Sequence, residues 1–223
     1  LQAGDGQGGQ QVELVLLDVG QGLGLALGVG LKVGQLLLHG LEGNSKSRYA
    51  QSIAQYFRAR GWIVAVAHFR GCSGFPNRLA RAYHSGDSHE VDFILNTVRA
   101  MAPNAVWHAA GISLGGNALL KYLGEYAQQA SWLKAAAGIS VPLDLVAAGN
   151  HLSDDPFNRH VYCRHFLNTL KPKVMAKAQR FPGVIDVVRI SHARDLRDDV
   201  VDRLEVLHVQ RCVHIHEIGR AHV

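Results

Sequence analysis

Between residues 35 and 143 short apolar runs alternate with stretches of helical periodicity, and this alternation constrains the fold more than any other feature of the chain. "QLLLHG" is an apolar run ending in glycine. "SRYAQSIAQYFRARG" carries apolar residues at helical spacing (Tyr49, Ile53, Tyr56, Phe57) and stops at Gly61. "WIVAVAHF" is apolar and β-branched, as a buried strand is. "DSHEVDFILNTVRAMAP" reads as a helix with an acidic first turn and Pro103 beyond its end. "AVWHAAGIS", "GGNALLKYLGEYAQQA" and "LKAAAGISVPLDL" follow as strand, helix and strand. Strands alternating with helices of about ten to fifteen residues predict a doubly wound, mainly parallel α/β sheet.

The flanks differ in texture. Residues 1–34 are Gly-rich and of low complexity, and are read as a segment apart from the α/β core at 35–143. They contain a literal G-x-G-x-x-G at Gly4, Gly6 and Gly9. With no strand expected before it and no helix pattern after it, it is not taken as a dinucleotide fingerprint. Interior glycines argue against a strand in "GQGLGLALGVGLKVG". Residues 144–183 turn helical without strands. "PFNRHVYCRHFLNTL" and "PKVMAKAQRF" read as two helices, with Pro172 opening the second. Helices inserted after a sheet strand are expected to form a cap over a pocket. Residues 184–223 make an irregular tail, charged and then histidine-rich.

Composition narrows the partners. The 223 residues are 48% hydrophobic and 18% charged, enough for one globular domain with a substantial core. The net charge of +5 is scattered among acidic residues, with no basic stripe of the kind that binds nucleic acid. Three cysteines (Cys72, Cys163, Cys212) make no disulfide framework, so a reducing, cytoplasmic setting is expected. The apolar stretch from Val12 to Leu38 carries Glu13, Asp18, Gln21 and Lys32, which argues against a membrane-spanning helix. No cofactor is expected, and oligomeric state is not legible.

"GISLGG" places Ser113 in a G-x-S-x-G pattern, with a strand before it and a helix after it. That context is what a nucleophile elbow requires: a sharp turn lifts the hydroxyl above the sheet edge, and glycines let the flanking backbones approach. The helix N-terminus adds N–H groups that favour a developing anion. The alternative is a tight strand–helix turn that merely holds a small residue. Gly111, Gly115 and Gly116 serve either reading. The second expected oxyanion donor lies in the loop after an early strand. Leu41, following His39 and Gly40, is in that place, and Leu114, the residue after the serine, supplies the other N–H. His39 precedes the serine in the chain and is read as a supporting residue, not as the base.

"LLLHGLEGNSKSRYA", "HFRGCSGFPNR", "YHSGD", "GISLGGNALLKYLGE" and "RHFLNTLKPK" together resemble the YheT-like branch of the α/β-hydrolase superfamily. The resemblance spans about residues 36–183 and fades by about 200. It implies an α/β-hydrolase fold, Ser113 as nucleophile, Leu41 and Leu114 as oxyanion donors, and a small-molecule ester as substrate. "HFRGCSGFPNR" would be a loop after a sheet strand. Its glycines at 71 and 74 allow either a structural turn or an anion-binding nest. His84 is read as a loop residue before a helix capped by Ser85.

The triad order in this fold is Ser, then acid, then His. The resemblance places the acid after a later strand and the histidine nearer the C-terminus, and neither loop is found after residue 184. Asp186, Asp195, Asp198, Asp199 and Asp202 lie on a charged stretch, with His208, His214, His216 and His222 beyond. The sheet is therefore expected to be incomplete at its C-terminal end. "EIGRAHV" matches the translation of a common sequencing adapter in one frame, so the final residues are read as an artefact, and suspicion of the reading frame extends to 1–34. Cys212, His214, His216 and Glu217 lack the paired spacing of a structural zinc site, so no metal is expected. The expected activity of the parent is hydrolysis of short- to medium-chain acyl esters through an acyl-enzyme, with this chain lacking the triad acid and base. A non-enzymatic acyl-ligand-binding fragment, and an acyltransferase, are the alternatives.

Overall fold

The computed structural model describes residues 32–183, together with the backbone of two strands nearer the N-terminus, β1 (Gln2–Gly4) and β2 (Gln11–Leu17). The strands that follow are β3 (Val33–Leu38), β4 (Ile63–His68), β5 (Val106–Ile112) and β6 (Ala135–Ile139). The spatial order is β1-β2-β4-β3-β5-β6. β4, β3, β5 and β6 run parallel, whereas β2 pairs antiparallel with β4 and β1 antiparallel with β2.

The expected parallel sheet is present, and its strand sequences show why. Leu36 and Leu38 face one side and Leu37 the other, all at 0% exposure. A strand covered on both faces needs a continuous apolar run, not an alternating one. Helix α1 (Arg48–Arg58) covers one face through Ala50 and Ala54, against Leu37, Val64 and Val66. Helices α2 (Ser88–Met101) and α3 (Leu114–Glu125) cover the other through Val91, Ile94, Leu95, Ala118 and Leu119.

Several local expectations are corrected. Residues 1–34 do contribute strands: "QVELVLL" is a short β-type run hidden among glycines, and it pairs from Glu13↔His68 to Leu17↔Val64. Tyr56, expected on the apolar face of α1, is 54% exposed, with the Arg60 guanidinium 3.5 Å above its ring. Helix α2 is capped by Asp87, not Ser85: the Asp87 carboxylate accepts from Glu90 N at 3.1 Å.

After β6 the described residues, to 183, are mainly helical. Helix α4 (Leu145–Asp154) starts where Asp144 accepts from Ala147 N at 2.8 Å. A single turn, α5 (Pro156–Asn158), leads through a π-helical turn (Arg159–Cys163) into α6 (Arg164–Arg180). The break expected at Pro172 does not occur, and Pro172 lies inside α6. Proline removes the donor that Asn168 C=O would use, but both residues are exposed, so that carbonyl is open to solvent. Cys163, Leu167 and Leu170 form a small buried cluster, joined by Leu41 from the loop after β3. Among the described residues no helix is long and apolar enough to cross a membrane.

Candidate active site

In open α/β sheets ligands bind beyond the carboxyl ends of the strands, where the strand order reverses. Here β3 has β4 on one side and β5 on the other, so that point lies above the ends of β3 and β5. His39, Gly40 and Leu41 follow β3, and Ser113 follows β5.

Ser113 is the residue between β5 and α3, with φ 51 and ψ −119. An L-residue is rarely held at positive φ. The turn is fixed on both sides: Ser113 N donates to Ile139 O at 2.9 Å, and Asn117 N donates to Ser113 O at 3.0 Å. The glycines are sterically required. A Cβ on Gly111 would lie 2.6 Å from Gly116 Cα, and one on Gly115 would lie 2.6 Å from Leu38 O. Strand β5, helix α3 and the end of β3 therefore meet without side chains between them. Asn117 adds a tie, donating from Nδ2 to Pro142 O at 2.8 Å.

Gly40 packs against the serine: a Cβ there would sit 3.4 Å from Ser113 Cβ. The carbonyl of Gly40 and the N–H of Leu41 belong to one peptide plane and, in a trans peptide, point in opposite directions. That carbonyl accepts from Gly43 N at 2.9 Å and from His39 Nδ1 at 2.8 Å. The tautomer follows from Phe69 N, which donates to His39 Nε2 at 3.1 Å, leaving the ring proton on Nδ1. Gripped at its carbonyl, the plane presents the Leu41 N–H away from these donors, and that N–H has no hydrogen-bond partner among the described residues. The first N–H groups of α3, beginning with Leu114, likewise lack intrahelical acceptors. With no acidic residue in the first turn of α3, its positive helix end is unneutralised.

His39 is itself no base. It is 0% exposed, both ring nitrogens are engaged, and burial pushes its pKa down to about 4. Ser113 Oγ has no hydrogen-bond partner among the described residues. The tail residues weighed from sequence (Asp186, Asp195, Asp198, Asp199, Asp202, His208, His214, His216, His222) lie outside the described residues, as do Cys212 and Glu217. Among the described residues no cluster of His, Cys, Asp and Glu is placed to hold a metal ion.

The "HFRGCSG" loop has the geometry of a turn. Cys72 N donates to Phe69 O at 2.9 Å, and Gly71 and Gly74 take φ of 76 and 97. Arg70 is committed to Glu90, its N donating at 3.1 Å and its Nε at 2.7 Å. His84 lies in the loop before α2, its Nδ1 accepting from Gly86 N at 3.1 Å.

Four contributors escaped the sequence reading. Tyr49 was seen only as an apolar helix position, yet its hydroxyl accepts from Gly40 N at 3.0 Å. Glu42, Tyr83 and Lys173 converge on the loop after β3 from separate parts of the chain. Tyrosine in place of phenylalanine at 49 and 83 was the one available signal.

No protein-family model matches the chain. YheT of Escherichia coli (strain K12), which carries the name of an esterase, is 36% identical over 170 residues, covering 74% of this chain and 49% of that protein. Phospholipase ABHD3 of Bos taurus is 30% identical over 163 residues, covering 73% of this chain and 39% of that protein. A solved structure titled as an alpha-beta serine hydrolase homologue from Coxiella burnetii aligns with a TM-score of 0.48 at 14% identity, over 65% of this chain and 64% of the other. The chain spans about half the length, or less, of the curated relatives it matches. With the strand order, the glycine-lined turn between β5 and α3 and this sequence similarity together, the chain belongs to the YheT-like branch of the α/β-hydrolase superfamily.

Proposed function

We propose that Ser113 is the nucleophile of a carboxylic-ester hydrolase that works through an acyl-enzyme. The observation that carries the reading is the placement of Ser113, held at φ 51 with the Gly40–Leu41 peptide packed against it. Ser113 Oγ adds to the ester carbonyl, and the oxyanion that forms lies between the N–H groups of Leu41 and Leu114. Each such donor contributes on the order of 3 kcal/mol to lowering the barrier. The alcohol leaves, and water then releases the acid and restores the serine. A base must take the serine proton within hydrogen-bond reach, and no described histidine is bonded to Ser113 Oγ. The aspartates and histidines of residues 184–223 lie outside the described residues.

The substrate reading is a short- to medium-chain acyl ester. Relatives named as esterase, phospholipase and monoacylglycerol lipase support the ester class. Helices α4 to α6 act as a cap, their apolar cluster of Cys163, Leu167 and Leu170 reaching the site through Leu41.

The test is covalent labelling of the full chain with a fluorophosphonate probe, mapped by peptide mass, beside p-nitrophenyl butyrate turnover. Labelling at Ser113, lost together with turnover in Ser113→Ala, is the expected result. A chain that takes no label at Ser113 would show a non-enzymatic acyl-binding role instead.

A further inference from the structure

Four polar side chains meet beside the Gly40–Leu41 peptide, and the acyl-transfer steps use none of them. Glu42 lies in the loop after β3, Cys72 in the loop after β4, Tyr83 before α2, and Lys173 on α6. Glu42 and Tyr83 grip each other twice: Glu42 N donates to the Tyr83 hydroxyl at 3.0 Å, and that hydroxyl donates to Glu42 Oε1 at 2.8 Å. The other carboxylate oxygen, Oε2, takes Lys173 Nζ at 2.7 Å. Beneath the pair lies the Cys72 thiol, 3.9 Å from Lys173 Nζ and 4.0 Å from Glu42 Oε1.

Two features set this pair apart from an ordinary surface bridge. Such bridges contribute little because both ends are solvated, whereas the Glu42 side chain is 4% exposed and only Lys173, at 42%, reaches water. Removing the lysine would leave a buried carboxylate without its counter-ion, which is strongly unfavourable. Glu42 also sits at φ 57, a left-handed conformation that a residue with a Cβ avoids unless its surroundings impose it. Glu42 sits inside the turn closed by Gly43 N donating to Gly40 O, and Tyr83 and Lys173 hold its side chain there. The neighbouring residue is Leu41, whose side chain packs with Leu167 and Leu170 from α6. One helix thus holds consecutive residues of the loop, Leu41 by apolar packing and Glu42 by charge.

We propose that Glu42 is a positioning residue: its ion pair with Lys173 clasps α6 to the loop after β3 and keeps the Leu41 N–H directed at Ser113. The positioning role rests on the reading of Ser113 as nucleophile, whereas the clasp stands on contacts alone. The experiment separates the two.

The full chain is compared with Lys173→Met, Lys173→Arg and Glu42→Gln. One readout is alkylation of Cys72 by iodoacetamide, resolved from Cys163 and Cys212 by peptide mass. Cys72 is 5% exposed, and burial holds its pKa up at about 12, so it reacts only when the clasp opens. The second readout is the rate of fluorophosphonate labelling at Ser113. Lys173→Met and Glu42→Gln are expected to alkylate about tenfold faster at Cys72 and to label about tenfold slower at Ser113. Lys173→Arg, which keeps the cation, is expected to restore both. Unchanged alkylation in a folded Lys173→Met chain would overturn the clasp, whatever Ser113 does. Faster alkylation with unchanged labelling would overturn the positioning role. An unsubstituted chain that takes no label at Ser113 defeats the nucleophile reading and the positioning role with it, and Cys72 alkylation alone then decides the clasp.

Discussion

His39 donates from Nδ1 to the carbonyl of Gly40 at 2.8 Å, at the opposite end of the peptide plane from the Leu41 N–H. Phe69 N, donating to Nε2 at 3.1 Å, fixes the ring from the other side. A histidine beside a candidate nucleophile invites assignment as its base, but both nitrogens of this one are occupied in a 0% exposed site. It holds the Gly40 carbonyl instead.

Replacing His39 by alanine should therefore cost more than a cavity. Phe69 N–H would lose the acceptor it has among the described residues, at about 1–3 kcal/mol for a buried orphan, and the vacated volume adds to that. We expect a loss of about 3 kcal/mol in urea unfolding. His39→Asn keeps a donor near Gly40 and should lose less. An alanine variant as stable as the parent would remove the case for this role.

Ser113 illustrates a conflict between stability and chemistry. Its φ of 51 costs a residue with a Cβ roughly 1–2 kcal/mol. Ser113→Gly relieves that, less a few tenths in unfolded-chain entropy, whereas Ser113→Ala does not. The glycine variant should melt about 3 °C above the alanine variant. Both should lose fluorophosphonate labelling. Equal melting temperatures would mean the turn stores no strain.

The sheet was legible because its strands are covered on both faces, so Val64 to Ala67 must be an unbroken apolar run. The turn at Ser113 was legible because its close approaches require Gly111 and Gly115. Strand β2 was not, because seven residues of β-type sequence sit among glycines whose pattern dominates any window. Nor was the continuity of α6, since Pro172 breaks a helix only where its orphaned carbonyl is hidden from water. The Glu42–Lys173 contact was out of reach for a different reason: it joins distant segments, and neither residue carries a pattern that names its partner.

Two glycines should respond oppositely to alanine. At Gly115 the new Cβ would press on Leu38 O at 2.6 Å, and backbone on both sides cannot yield. We expect a loss of about 3 kcal/mol, or failure to fold. Gly149 lies within α4 with nothing within 4 Å of such a Cβ. There alanine should stabilise by about 0.5–1 kcal/mol through helix propensity. Chemical denaturation of the two variants decides the matter, and a Gly115→Ala chain with parental stability would contradict the packing described.

The buried His39 also makes stability depend on pH. Its folded pKa is about 4, against an ordinary 6.5, because burial disfavours the cation. Between those values the unfolded chain binds a proton that the folded chain does not, so stability rises with pH across the window and is lost as pH falls from 6.5 toward 4. The loss from this one group is on the order of 3 kcal/mol. Glu90 acts in the opposite sense: burial, opposed by Arg70, raises its carboxyl to about 7, so its contribution fades as pH climbs from 4.5 toward 7. The two overlap, and the raw profile of the parent mixes them. Subtracting the profile of His39→Asn, which cannot titrate there but leaves Glu90 in place, isolates the histidine. Urea midpoints at several pH values between 4 and 7.5 should converge for parent and variant as the medium is acidified. Parallel profiles would show that His39 binds its proton alike in the folded and unfolded chains, and that burial does not hold it neutral in the site.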